Sequence, residues 1–342
     1  MSHLIPFIPD EKPISVISAL SEVCDWGQTF SHVGDYRDRT KTRGEGVKVA
    51  ILDTGVDATH PDLKDNVVEC VDMTGCGLQA GNGHSTHVAG IISGSDNGTG
   101  IIGVSPRSSL YSVKILDDSG QCPSDCSWIA AGLEWCIEKG CDIVNMSLGS
   151  PCVPPVRLHE LCQLAAERGM ILVAASGNDG GTSVYYPAKY DEVLAVGAID
   201  KEGHLAPFSN TDPHLIALCP GVDIYSCWPG GTYAKLSGTS MAAPFLSGVI
   251  ALMLSFHRNG EAHSTPLDNY KDAMSHVRRF QRGKILLPGC GDFGIGLIDM
   301  ATPDLESDPT VQACEVPKGP TFWEKVKEFL SEAWFGAFDQ RY

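Results

Sequence analysis

Val47-Lys-Val-Ala-Ile-Leu-Asp-Thr-Gly55 is a mainly apolar run that ends in a carboxylate and a turn. Its length suits a strand, and its near-continuous apolar character suits one buried on both faces, as in a parallel sheet. Similar runs recur at 110–116, 142–146, 170–175 and 193–196. Helical stretches lie between them. One passes through Trp128, Ile129, Leu133 and Ile137, with Ser124 or Asp125 to cap it and Gly140 to end it; another spans 155–168 and closes at Gly169. Strands alternating with helices predict an α/β fold joined by right-handed crossovers. In such sheets sites collect at the carboxyl ends of the strands, and Asp53 stands at one.

The totals narrow the function classes. Hydrophobic residues make up 43% of the 342, ample for a sizeable core, while Gly and Pro are scattered without period, which excludes a collagen-like chain. A formal net charge of −17 leaves no basic stripe for phosphates, so no nucleic-acid partner is expected. The acidity suits solubility and, equally, hard cations such as calcium. No uninterrupted apolar run approaches bilayer length, and no membrane partner is expected. Met1-Ser-His-Leu-Ile-Pro-Phe7 has neither a basic n-region nor an apolar h-region. The 13 cysteines are odd in number and irregular in spacing, and Cys122 and Cys126 lack a second pair to complete a zinc pattern. Reduced thiols and a cytoplasmic location are the expectation.

Four regions emerge. Residues 1–20, with prolines at 6, 9 and 13, look like a detachable leader, and 21–300 like the main domain. Residues 301–320 are rich in Pro, Asp and Glu and read as a linker. Within 321–342, Trp323, Val326, Phe329, Leu330 and Trp334 fall at helical spacing and predict an amphipathic helix.

Cleaving a peptide with a serine needs a base, a carboxylate to orient it and donors for the oxyanion. Asp53 is the candidate carboxylate, although alone it reads as a turn residue at a strand end. Gly83-His-Ser-Thr-His-Val-Ala-Gly90 offers a helix start that aims His84 towards Asp53, with His87 one turn later in a supporting role. Ser237-Gly-Thr-Ser-Met-Ala-Ala-Pro244 places Ser240 at a helix N-terminus, where it is expected to be exposed and where free amides favour negative charge. Read singly, Thr239 or Ser240 is equally an N-cap.

Together these segments resemble the subtilase family: Asp-Thr-Gly, His-x-Thr-His and Gly-Thr-Ser-Met-Ala-x-Pro occur in that family's order over about residues 22–300. The resemblance implies a subtilisin-like domain with a mostly parallel central sheet flanked by helices on both faces. It implies a serine endopeptidase in which Asp53 orients His84, His84 is general base then acid, Ser240 is the nucleophile, and Asn178 in Ala174-Ala-Ser-Gly-Asn178 is the oxyanion-hole amide. Ser147, Leu148 and Gly149 match the segment that pairs with substrate backbone and walls the first pocket, which favours extended protein or peptide substrates. Tyr185 stands where small residues usually floor that pocket. Ser85 replaces the usual glycine after the histidine and is expected to add a side chain beside the cleft; Ala243 replaces a Ser or Thr.

The resemblance also implies calcium, held by Asp62, the Asn97 side chain, the carbonyls of Ser95, Thr99 and Ile101, and Glu22; the bland alternative is a polar turn. Leu4-Ile-Pro-Phe7 resembles the leader motif of intracellular subtilisins, which implies a zymogen whose leader lies across its own active site. In the same relatives C-terminal ends serve dimerisation, so a homodimer is expected. Two alternatives stand beside this reading: a dedicated processing protease for one partner protein, and a non-catalytic subtilase-fold binding protein, which the intact triad disfavours.

Overall fold

The computed structural model describes residues 4–6, 16–17, 21–259, 272–273, 277, 281–285 and 295–300. Backbone contacts divide the chain into one unit up to Pro303 and a second from Asp304. The expected linker at 301–320 and helix at 321–342 lie outside the described residues, as does most of the leader.

The elements run β1 (Leu4–Pro6), β2 (Val16–Ile17), α1 (Trp26–Phe30), α2 (Val33–Thr40), β3 (Lys48–Asp53), β4 (Val67–Asp72) and α3 (His84–Ser93). Next come β5 (Ser109–Lys114), β6 (Gln121–Pro123), α4 (Ser127–Lys139), β7 (Ile143–Met146), α5 (Val156–Glu167), β8 (Ile171–Ala175) and β9 (Val193–Ile199). Then follow β10 (Leu215–Pro220), β11 (Ile224–Trp228), β12 (Thr232–Leu236), α6 (Thr239–Arg258), β13 (Gln281–Ile285) and β14 (Ile295–Ile298). Nine strands form the main sheet in the order β13-β14-β10-β9-β8-β7-β3-β5-β4, parallel except where β13 meets β14.

The all-apolar strands are explained by the layers on either side. Along β3, Val49 and Ile51 point into a core shared with α3 and α6, containing Val88, Leu246 and Val249. Ala50 and Leu52 point into the opposite core, with Leu133 of α4 and Leu161 of α5. Alternate side chains serving two cores give a strand without polar alternation. The sheet is therefore covered on both faces. α6 is long and apolar enough to cross a membrane, but 94% of that stretch is buried, so it is the central core helix here.

From β3 the chain moves to one side for β4 and β5, then returns to place β7 on the other. Such a reversal opens a crevice at the carboxyl ends of the two central strands. Asp53 ends β3, and Ser147 directly follows β7.

Two smaller sheets complete the framework. β11 and β12 pair antiparallel and take β2 on the outer edge. β6 pairs antiparallel with β1, Leu4 opposite Pro123 and Pro6 opposite Gln121. α4 ends at Gly140 as expected, but it begins at Ser127 with Cys126 as N-cap in a left-handed conformation; Asp125 Oδ1 accepts from the Ser127 amide instead of capping deeper in the turn.

His87 is fully buried, and its Nε2 donates to the carbonyls of Ile224 (3.0 Å) and Ala234 (3.2 Å), tying β11 and β12 to α3. Burial holds its pKa down at about 3, with the neighbouring His84 adding to the effect. The unfolded chain then binds a proton below the ordinary value of 6.5 that the folded chain refuses, so stability falls as pH drops from 6.5 towards about 3. Urea unfolding of the wild type and of His87→Gln across that window should diverge, the variant showing the shallower loss on acidification. Parallel pH profiles would contradict the role given to His87.

Candidate active site

Asp53 is fully buried at the end of β3. A carboxylate there must be matched by donors. The Thr54 amide (2.6 Å) and hydroxyl (3.1 Å) both reach Oδ1, and His84 Nδ1 lies 3.0 Å from Oδ1 and 2.8 Å from Oδ2. This grip assigns the proton to Nδ1 and leaves Nε2 as the basic end of the ring. His84 is the first residue of α3, as its Gly-flanked segment led one to expect. The next residue differs from expectation. Ser85 is fully buried, its amide 3.4 Å from Thr54 Oγ1, because the second helical position points into the protein.

Ser240 is the second residue of α6, after the N-cap Gly238 and Thr239. It is 2% exposed, not freely exposed as expected, since the N-terminus of a core helix is set deep between α3 and the 147–149 segment. Its Oγ donates to the Ser147 carbonyl at 3.2 Å. Pro244 has no amide hydrogen and cannot close the helical bond to the carbonyl of Ser240 four residues earlier. Ser147 Oγ donates to that carbonyl at 2.8 Å, while accepting from Asn145 Nδ2 at 2.9 Å. Proline inside the first turns of α6 thus frees the acceptor that locks the cleft wall to Ser240.

Asn178 Oδ1 accepts from the Thr239 amide and hydroxyl, both at 2.8 Å. That pairing fixes the orientation of the side-chain amide and assigns Nδ2 as its donor end. The candidate nucleophile, base, orienting carboxylate and oxyanion amide thus belong to β3, α3, α6 and the loop after β8.

The wall residues stand as a backbone platform. Ser147 and Leu148 bury their side chains, and Ser150 exchanges backbone hydrogen bonds with Tyr186 (2.9 and 3.0 Å). This pairing draws Tyr185 beneath the wall. A Cβ on Gly149 or Gly177 would meet the Tyr185 side chain at 3.0 Å, so the ring packs between them. Tyr185 donates its hydroxyl to Asp179 Oδ2 at 2.9 Å, and burial, with that carboxylate, pushes its pKa up.

Away from the triad, oxygen-bearing groups gather around Asp62, which is fully buried. Oδ1 accepts from Asn97 Nδ2 (3.0 Å); Oδ2 accepts from the Ile101 amide (2.7 Å) and the Tyr233 hydroxyl (3.0 Å). Gly100 permits this, because a Cβ there would collide with the carboxylate. The Glu22 segment is held on the same loop by Val23 N–H to the Gly100 carbonyl (2.7 Å), and Glu22 Oε2 is buried without a hydrogen-bond partner. A partnerless buried carboxylate oxygen beside carbonyl-rich loop 95–101 fits a hard cation. Asn97 Oδ1 accepts from the Thr99 amide (3.0 Å) and hydroxyl (2.9 Å), so in this structure the amide turns its nitrogen, not the expected oxygen, towards Asp62. His60 and Cys227 also approach Asp62, but both ring nitrogens of His60 are engaged, with Thr232 O (2.9 Å) and the Asp62 amide (3.1 Å).

The arrangement can activate a hydroxyl at Ser240. Labelling by a fluorophosphonate should fall on Ser240, and Asn178→Ala should slow it about 100-fold or more, the usual cost of losing one oxyanion donor. Intact-protein and peptide mass spectrometry read both. An adduct elsewhere, or an unchanged rate in the variant, would contradict the assignment.

Comparison with known proteins agrees with this geometry. The profile of the subtilase family matches residues 44–280. The chain is 43% identical to the M-protease of Shouchella clausii (strain KSM-K16) over 251 residues, which are 73% of this chain and 65% of that protein. It is 46% identical to subtilisin Savinase of Lederbergia lenta over 210 residues, covering 61% of this chain and 77% of that protein. With subtilisin DY of Bacillus licheniformis it shares 44% over 218 residues, covering 62% and 78%.

Proposed function

The chain belongs to the subtilase family, and from that premise we propose that it is a serine endopeptidase that cleaves extended or unfolded protein chains through an acyl-enzyme. The observation that carries this reading is the two-oxygen contact of Asp53 with His84 Nδ1, 2.8 and 3.0 Å, which orients a base on α3, the helix that packs against the one bearing Ser240. His84 Nε2 takes the proton of Ser240 as Oγ leaves the Ser147 carbonyl and attacks the substrate carbonyl carbon. The oxyanion accepts from Asn178 Nδ2 and the Ser240 amide at the start of α6. The imidazolium passes its proton to the departing amine as the C–N bond breaks. Water, deprotonated by the same nitrogen, then releases the acyl group from Ser240 Oγ.

Substrate is taken as a strand, by the backbone of Ser147, Leu148 and Gly149 on one side and β6 on the other. Tyr185, packed between Gly149 and Gly177, restricts the first pocket to small or medium side chains. The enzyme is made as a cytoplasmic zymogen. Support comes from the antiparallel pairing of Leu4–Pro6 with β6, the edge a substrate strand needs, and from the free thiols of the described cysteines. A chain beginning near Glu22 should digest an unfolded protein at once, the full-length chain only after a lag, and Ser240→Ala should keep its leader uncut. Equal initial rates of the long and short chains would rule out leader inhibition, and digestion by Ser240→Ala would rule out the nucleophile.

Calcium belongs to the same reading. Asp62, Glu22, the Asn97 amide oxygen and the carbonyls of Ser95, Thr99 and Ile101 would hold it, and bound there it cross-links the start of the domain to loop 95–101 without entering the chemistry. A ligand that binds only the folded state adds about 2.7 kcal/mol at a hundred times its Kd. Calcium should therefore raise Tm, and Asp62→Asn or Glu22→Gln should weaken the response. A Tm indifferent to calcium and chelator would refute the site.

A further inference from the structure

Lys114 ends β5 in register with Asp53, and its side chain is only 1% exposed. An ammonium removed from water must be matched by acceptors. Its Nζ donates to the Thr54 carbonyl and to Asp118 Oδ1, both at 2.6 Å, with the Gln79 carbonyl at 3.5 Å. Thr54 is the residue whose amide and hydroxyl hold Asp53 Oδ1, so the lysine grips the next peptide of the same turn.

Asp118 sits in the loop between β5 and β6. That loop is closed by Asp117, whose backbone amide donates to the Gln121 carbonyl (3.0 Å) and whose Oδ1 accepts from the Gln121 amide (2.9 Å). The Asp118 carbonyl accepts from Asn82 Nδ2 at 3.0 Å, and Asn82 Oδ1 accepts from the His84 amide at 3.2 Å. The approach is close enough that a Cβ on Gly81 would lie 2.6 Å from Asp118 Oδ2. Polar contacts thus run from the Asp53 turn through Lys114, Asp118 and Asn82 to the first residue of α3. No proton in the reaction passes along them.

We propose that Lys114, Asp118 and Asn82 form a positioning bracket that ties the β6 edge, where the peptide strand is laid, to the turn and the helix start that hold the catalytic carboxylate and base. The functional meaning of the bracket rests on the endopeptidase reading. Its two ends differ. Asp118 is 57% exposed and governs where β6 stands, whereas buried Lys114 governs the Thr54 peptide behind Asp53.

The test compares Asp118→Asn and Lys114→Met with the full-length enzyme, each assayed at maximal activity on a peptide amide long enough to pair with β6 and on p-nitrophenyl acetate. Loss of one charged hydrogen bond corresponds to about ten-fold or more. Asp118→Asn should raise KM for the peptide by about that factor with a smaller fall in kcat. Lys114→Met should act mainly on kcat and depress both substrates. Asp118→Glu should recover most of the peptide KM. Hydrogen exchange in a Ser240→Ala background adds a readout that needs no activity: Asp118→Asn should speed exchange of amides at both 117–123 and 53–55. In Asp118→Asn, an unchanged peptide KM, equal losses on peptide and ester, or exchange confined to 117–123 would overturn the bracket. A wild type inactive on both substrates would instead defeat the endopeptidase reading, and the exchange result would then decide the bracket by itself.

Discussion

The carboxylate of Asp53 is buried at the carboxyl end of a central parallel strand, and the surrounding architecture supplies its partners. Removing such a group from water costs several kcal/mol unless donors surround it. Thr54 gives its amide and hydroxyl, and α3 is placed so that its first side chain, His84, completes the set. The strand order provides the room, because the reversal at β3 opens the crevice into which these groups project. One desolvated charge thereby fixes the turn after β3, the start of α3 and the tautomer of the base.

The second half of the site is built around a missing donor. Pro244 leaves the Ser240 carbonyl without its helical partner, and Ser147 takes its place across 93 positions of sequence. The same serine anchors the strand-like wall at 147–149. Ser240 and the 147–149 segment are therefore one mechanical unit, while Asn178, gripped by Thr239, belongs to it through the first residue of α6. A helix broken anywhere later along α6 would lose core packing without this gain. At its position Pro244 costs α6 one intrahelical bond, and the Ser147 hydroxyl offsets that loss at the Ser240 carbonyl.

Much of this is legible in the chain. The apolar runs became β3, β5, β7, β8 and β9, and Gly140 ends α4 with a left-handed backbone as glycine readily does. The triad segments are legible because short backbone-bound motifs carry their geometry with them. What was hidden depends on distant partners. β4 is a half-exposed edge strand, and β6, β11 and β12 are short segments made strands by what they pair with, so no periodicity announces them. The burial of Ser240 and Ser85 reflects how deep the two helix starts sit, which local sequence does not encode. Lys114, Asp118 and Asn82 are brought together by a loop closure, and a lysine inside the run 110–116 gives no local sign of those partners.

The account stands on Ser240 becoming covalently acylated under the control of Asp53. Rapid-quench mass spectrometry during turnover of a peptide ester measures this directly. The expected result is an acyl group on the peptide containing Ser240 within the first turnover, with acylation slowed about 10⁴-fold in Asp53→Asn because the imidazole then adopts the wrong tautomer. Turnover without an adduct on Ser240, or acylation equally fast in Asp53→Asn, would contradict it.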